Sequence, residues 1–525
     1  MLYSEIRLKR GSEMGLHQKF NSAKNNIKRF NAESIILHSM RINRNLSNLP
    51  PDKFEGYMPW EIMLLIKWTL VFGNWENKKN PNQSQYNSMI NKIKEVFPEN
   101  KFLLKKSSAG IRKFMRQTAF QQFGLQRKLT KANVGRNFEL FGSAQSGYNF
   151  GSKFKELAGL EIPEFIELCL LLWVYYSTEQ KNLHLNKTWF NLPGGVFGQS
   201  AIDSFLELLS LDLDGAKQLA IKQFEEQSLE SEIFEESPFR RKPLFRHGKN
   251  YYTYSPSLLT GSLDTFIYDF LKENDPEKFG DAFGPTFERY LNKILTYYKV
   301  KFYPETEIKK KVAPSNPVDF LISSPNTTIL IEGKAIELSK ISKVNPENGI
   351  LVNALKDSAI KGVYQANKTA KALLNKTELD GNPIGKEFFA LIVSYKELYL
   401  GTGGDVWNEF IKEGLEKKFN FDCQNDLVID PDKIFFVSVE DFEILFRATN
   451  GNVETMISIL RKAEAENKTP GEGKFIFGMH LAPYKDGMEE LPPFLDTHTE
   501  RIFQKLIDSY LKPKKQLSLG PNSNS

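Results

Sequence analysis

An apolar stretch, I-L-I-E-G-K-A (329–335), carries Glu332 and Lys334 two positions apart, and N-P-V-D-F (316–320) places Asp319 shortly before it. Side chains alternate along a strand, so Glu332 and Lys334 share one face. The turn S-S-P-N-T (323–327) folds the two segments into a hairpin, with Asp319 at the start of one strand. Three charged groups then converge on one side of a sheet, where an unpaired carboxylate would be costly to bury. Hydrolysis of a phosphodiester has a use for this set. Two carboxylates can hold Mg²⁺, a hard ion that keeps several waters, and the ion polarises the phosphate and lowers the pKa of a bound water. A lysine beside them can orient or deprotonate that water and balance charge on the phosphorane.

The order of these residues resembles the PD-(D/E)XK nuclease superfamily over roughly residues 280–447. Pro317-Val318-Asp319 corresponds to the Pro-Asp half, split here by Val318, and Glu332-Gly333-Lys334 to the E-X-K half. Upstream, G-P-T-F-E-R-Y (284–290) resembles the first core helix, with Glu288 as its acid. Downstream, Y-Q-A-N-K (364–368) resembles the second, with Gln365 near the site and Thr369 where a Tyr is usual. The resemblance implies Asp319, Glu332 and the Gly333 carbonyl as metal ligands for Mg²⁺, with Mn²⁺ able to substitute. It also implies Lys334 as the residue that activates or positions water, Glu288 as an auxiliary acid and Gln365 close to the metal water.

Other chemistries find little support. The six histidines never stand at zinc or H-x-E spacing. Gly142 to Gly147 has Walker-like glycine spacing but continues Tyr-Asn instead of Lys-Ser, so it reads as a loop. Cys169 and Cys423 are the only cysteines, which excludes a disulfide framework and a thiolate zinc site and points to a reducing compartment. Residues 1–10 are basic but no apolar stretch follows, so no secretory signal is expected; the most apolar segments, 62–72 and 165–176, fall short of a membrane span, and a cytoplasmic protein with no membrane partner is expected.

The elements that must position the hairpin follow from periodicity. The first ~225 residues read as helices, with apolar positions recurring at three and four. Later segments read as a helix at 288–298, strands at 300–303, 318–323 and 328–335, a helix at 359–374, strands at 388–394 and 433–439, and a helix at 440–447. The fold class is therefore α/β: a restriction-endonuclease-like core, a mixed sheet flanked by helices, preceded by a mostly α-helical N-terminal domain. Six acids between Glu225 and Glu236, followed at once by Arg240, Arg241 and Lys242, suggest a boundary. The expected division is a helical domain at 1–225, an acidic linker at 226–239, the nuclease domain with an extension at 240–511, and a disordered tail at 512–525.

A net charge of +6 is modest for 525 residues, but from Lys101 to Phe138 there are ten Lys or Arg and no Asp or Glu. Such a run needs a polyanion or an acidic surface to neutralise it, so Arg112, Lys113 and Arg116 are expected to contact nucleic acid. Docking onto the acidic 225–236 segment is the competing reading. On the 359–374 helix, Lys361, Gln365 and Lys368 fall at zero, four and seven, and the lysines are expected to meet flanking phosphates. Tyr251, Tyr252 and Tyr254 could stack bases or pack a strand. The functional expectation is a metal-dependent nuclease, acting on DNA ahead of RNA, as a microbial restriction or phage-defence effector. Its partners would be the nucleic acid and either a second copy of the chain or a companion defence protein. The competing expectation is a nuclease fold without catalysis that serves as a binding module.

Overall fold

The structure is a computed structural model that describes residues 2–508, apart from 48, 55, 98–107, 127, 143–146, 179–181, 227, 313–315, 336, 346, 486, 487, 489 and 507. Lys101, Lys105, Lys106 and Arg127 of the basic run, and the tail at 512–525, lie outside the described residues. The chain divides into two units: unit 1 is Met1–Lys106, Thr118–Asn274 and Phe494–Ser525, and unit 2 is Ser107–Gln117 and Asp275–Pro493. Among the described residues no helix is long and apolar enough to cross a membrane.

Unit 1 is mainly helical, as its periodicity predicts. Its helices start at side-chain caps that satisfy otherwise unpaired N–H groups, including Asn31, Asn82, Thr130, Asn149 and Asp212. Aromatic packing fills its interior, for example Phe165 stacked on Phe266 at 4.7 Å. A small four-stranded sheet also belongs here, and one of its strands, Asn250–Thr253, explains the tyrosine cluster. Tyr251, Tyr252 and Tyr254 are buried, so they pack the sheet and present no stacking platform.

The acidic segment is not a linker, and the division falls at residues 274 and 275. Glu232 and Glu235 are buried and accept from Lys67 Nζ at 2.8 and 3.3 Å, and Trp68 Nε1 donates to Glu232 at 3.0 Å. Glu236 pairs with Arg240. The change of charge sign along the sequence is thus the trace of internal ion pairing. The C-terminal extension also departs from expectation: the helix Pro493–Leu506 carries the chain back to unit 1, where Leu495 lies against Gly135 and Thr499 donates to the Lys131 carbonyl at 3.3 Å.

Unit 2 is built on a mixed five-stranded sheet. Its strands are β1 (Tyr303–Pro304), β2 (Phe320–Ser323), β3 (Thr327–Lys334), β4 (Glu387–Ser394) and β5 (Ile434–Ser438), in the order β5-β4-β3-β2-β1. The β3, β4 and β5 strands run parallel, and β1, β2 and β3 pair antiparallel. Parallel strands covered on both faces need continuous apolar runs, which I-L-I, F-F-A-L-I-V and I-F-F-V supply. The helix α1 (Pro276–Tyr297) packs on β3, as does α3 (Lys361–Leu373); α2 (Glu305–Val312) follows β1, and α4 (Val439–Thr449) follows β5.

Both helices contact β3 but from opposite sides. A Cβ on Gly333 would meet Leu291 and Phe287 of α1, whereas a Cβ on Gly362 of α3 would lie 3.5 Å from Glu332 Cγ. Since neighbouring strand residues face opposite ways, α3 covers the face that carries Glu332 and Lys334. A π-helical turn, Lys356–Ile360, leads into α3.

Candidate active site

The β2–β3 hairpin pairs Phe320 with Ile331, which places Asp319, immediately before β2, beside Glu332 and Gly333. Asp319 N–H donates to Glu332 Oε2 at 3.1 Å, and Gly333 N–H donates to Asp319 Oδ2 at 2.7 Å. Lys334 Nζ donates to Glu332 Oε1 and, at 2.9 Å, to Gln365 Oε1. Gln365 Nε2 donates in turn to the Pro317 carbonyl at 3.1 Å. Only an amide oxygen can accept from an ammonium and only its nitrogen can donate to a carbonyl, so the two contacts fix the orientation of Gln365.

The site is recessed. Glu332 is 2% exposed and Gln365 7%, while Asp319 and Lys334 are half-buried. Burial, followed by the charge of Glu332, drives the Asp319 carboxyl well above the usual carboxylate range, against the Gly333 N–H and the Lys334 charge. Burial also raises Glu332, against the opposing effects of Lys334 and the Asp319 N–H. Two adjacent carboxylates that resist ionisation because they are buried would both be stabilised in their charged form by a cation between them.

No protein-family model matches the chain, and no curated protein or solved structure shows significant similarity to it. The site is therefore judged on its own chemistry. Among the described residues no group of three or more His, Cys, Asp or Glu side chains is arranged to hold a metal ion. Asp319 and Glu332 instead offer two hard oxygen donors, a set that suits Mg²⁺, which keeps several waters and is commonly held by one or two carboxylates plus substrate phosphate. At Gly333 it is the N–H, not the carbonyl, that contacts Asp319, and the missing side chain lets that carboxylate approach: a Cβ would stand 3.3 Å from Asp319 Oδ2.

Glu288, half-buried on α1, has its carboxyl raised by burial and by the charge of Glu305, and its own charge acts on Asp319. Glu305 was not singled out from sequence. It opens α2 directly after β1, and its charge acts on Glu332 as well as on Glu288. An acid at the end of the strand preceding the hairpin was the available signal.

The structure changes the reading of α3. Val363, Ala366 and Ala370 are buried, as the periodicity predicts. Gln365 joins this inward side and spends both polar atoms on Lys334 and Pro317, leaving neither directed at a phosphate. Lys361 stays exposed, and Lys368 is half-buried with its ammonium 5.8 Å over the Tyr364 ring.

The basic run is corrected more strongly. Arg116 is fully buried and lies 3.5 Å from Glu409, and burial, opposed by Glu409, lowers its pKa. Arg112 contacts Asp405 at 3.1 Å and Glu409 at 3.6 Å, and Lys113 donates to Asn348 at 2.8 Å. In unit 1, Arg136 pairs with Asp264 at 3.7 Å, and Lys131 with Asp496 and Glu500 at 3.2 and 3.3 Å. Arg112, Arg116, Lys131 and Arg136 are paired within the protein with acids outside the 225–236 segment, and Lys113 with the Asn348 amide.

Proposed function

We propose that unit 2 is a metal-dependent phosphodiesterase with a PD-(D/E)XK-like core, acting as a nuclease on DNA ahead of RNA. The observation that carries this reading is the convergence of Asp319, Glu332 and Lys334 at one end of the hairpin, with Lys334 held between Glu332 and Gln365. Asp319 and Glu332 would hold Mg²⁺ or Mn²⁺, and the bound ion supplies phosphate polarisation and a more acidic water. Lys334 presents a fixed ammonium toward the charge that develops on the phosphorane oxygens. Glu288 adds negative charge on the Asp319 side, which strengthens cation binding there. Lys361, exposed beside Gly362, would meet a phosphate flanking the scissile one.

A non-catalytic binding module drew its support from the basic run, and the internal pairing of Arg112 and Arg116 removes much of that support. A role in restriction or phage defence belongs to the same proposal and rests on the resemblance alone. The test is a panel of plasmid, linear duplex, single-stranded DNA and RNA with Mg²⁺ or Mn²⁺. Cleavage that stops with EDTA and with Lys334→Ala is expected. Equal cleavage by the Lys334→Ala protein would overturn the assignment.

A further inference from the structure

Three residues of α3 at spacing zero, three and seven lie on one face of the helix, and each touches a different part of the hairpin. Gly362 makes room for Ile392, whose Cγ2 a Cβ would meet at 2.9 Å, and lies alongside the Glu332 stem, with Cγ 3.5 Å from that Cβ position. Gln365 joins Lys334 to the Pro317 carbonyl. Thr369, fully buried, accepts from Val318 N–H at 3.1 Å and donates to the Gln365 carbonyl at 2.9 Å.

The peptide unit joining Pro317 to Val318 is thus tied to the helix at both its polar groups, the Pro317 C=O and the Val318 N–H. Neither group belongs to the β2–β3 ladder, whose paired register begins at Phe320. Besides these ties and the packing of buried Val318, Asp319 is held by its contacts with Glu332 and Gly333.

We propose that Thr369 is a positioning residue whose hydroxyl, together with Gln365, holds the Pro317–Val318 backbone so that Asp319 faces Glu332 at the spacing a divalent cation requires. The inference rests on the metal-site reading of Asp319 and Glu332. Groups that orient metal ligands through hydrogen bonds typically contribute 10- to 100-fold in metal affinity, and Thr369 acts further back, through the backbone of the residue before Asp319.

The experiment compares wild type, Thr369→Val and Thr369→Ser in the full chain. Calorimetric titration with Mn²⁺ reads metal affinity, and amide hydrogen exchange reads the Val318 N–H directly. Thr369→Val should weaken Mn²⁺ binding about 10-fold, the lower end of the range for such supporting groups. It should also speed Val318 exchange by roughly 5- to 10-fold, the loss of one hydrogen bond. Thr369→Ser keeps the hydroxyl and should restore both. If Thr369→Val does not fold, Thr369→Ala against Thr369→Ser isolates the same hydroxyl. Unchanged Mn²⁺ affinity, or unchanged Val318 exchange, in the hydroxyl-free variant overturns the positioning role. If wild type shows no Mn²⁺ heat that Asp319→Ala removes, the metal-site reading fails and this role fails with it; loss affecting only Thr369→Val leaves that reading intact.

Discussion

Replacing Lys334 by Met should destabilise unit 2 in a strongly pH-dependent way. In the wild-type protein the Glu332 side chain is 2% exposed and that of Lys334 13%, and the ammonium is the cation that contacts Glu332 directly. Methionine keeps the length and apolar stem of lysine but leaves a buried carboxylate without its partner, a change that typically costs about 3–5 kcal/mol. The cost falls on the ionised acid only. Burial already raises Glu332 above its unfolded value, so ionising it in the folded state lowers stability as pH rises from the unfolded pKa to the folded one. Without Lys334 the folded pKa climbs further, which widens that window upward. The variant should therefore lose about 3–5 kcal/mol at pH 8, and less at pH 5, where more of the acid is protonated. Exchange of the slowest β3 and β4 amides reads unit 2 by itself, and at ~1.4 kcal/mol per tenfold the loss corresponds to roughly 100- to 4,000-fold faster exchange at pH 8, after correction for intrinsic rates. An equal loss at both pH values, or one under about 1 kcal/mol at pH 8, would refute the reasoning.

Unit 1 offers a parallel case: Lys67→Met should lower stability by about 3–5 kcal/mol in urea unfolding, because Glu232 and Glu235 lose their shared cation in a buried setting. Arg116→Ala should lower the melting temperature while leaving the salt dependence of DNA binding unchanged, since its guanidinium is fully buried beside Glu409; a flattened salt slope would restore it as a phosphate contact. At Glu387 burial raises the carboxyl but hydrogen bonds from Arg461, Lys433 and Thr327 outweigh it, and the pKa falls to about 2. A depressed folded pKa contributes stability above the unfolded value near 4.5 that is lost as pH drops toward about 2, so Glu387→Gln should flatten the acid limb of a melting-temperature profile.

The hairpin and its flanking elements are legible in the sequence because their signals are local. Alternation puts Glu332 and Lys334 on one face, the turn between β2 and β3 sets the register, and apolar runs mark β4 and β5. Boundaries shift by a few residues: Asp319 stands just outside β2, and the 288–298 helix is the second half of the longer α1. The strand read at 300–303 is shorter and shifted, Tyr303–Pro304, and the helix Glu305–Val312 is less visible, since E-T-E-I-K-K-K reads as solvated charge. Glu305 escaped notice for that reason.

What failed were inferences from uncompensated charge, and the failure has one physical cause. Asp319 meets Glu332 across 13 positions, and Lys334 meets Gln365 across 31, distances that a hairpin and a single crossover close. Arg112 meets Asp405 across 293 positions, and Lys67 meets Glu232 across 165. A ten-cation run without acids looks like a surface awaiting a polyanion only when its own neighbourhood in sequence is counted. Coulomb energy depends on separation in space, and burial strengthens it by lowering the surrounding dielectric, so acids distant in sequence neutralise Arg112, Arg116 and Arg136 more effectively than adjacent ones in water could. The same argument separates the two charge patterns in this chain. At the hairpin, burial and then the facing charge of Glu332 raise Asp319 in the folded protein in spite of Lys334; around Arg116, folding supplies the missing opposite charge. A carboxylate pair that stays hard to ionise in the folded protein, rather than a charge inferred from composition, is the feature on which the proposed cation site rests.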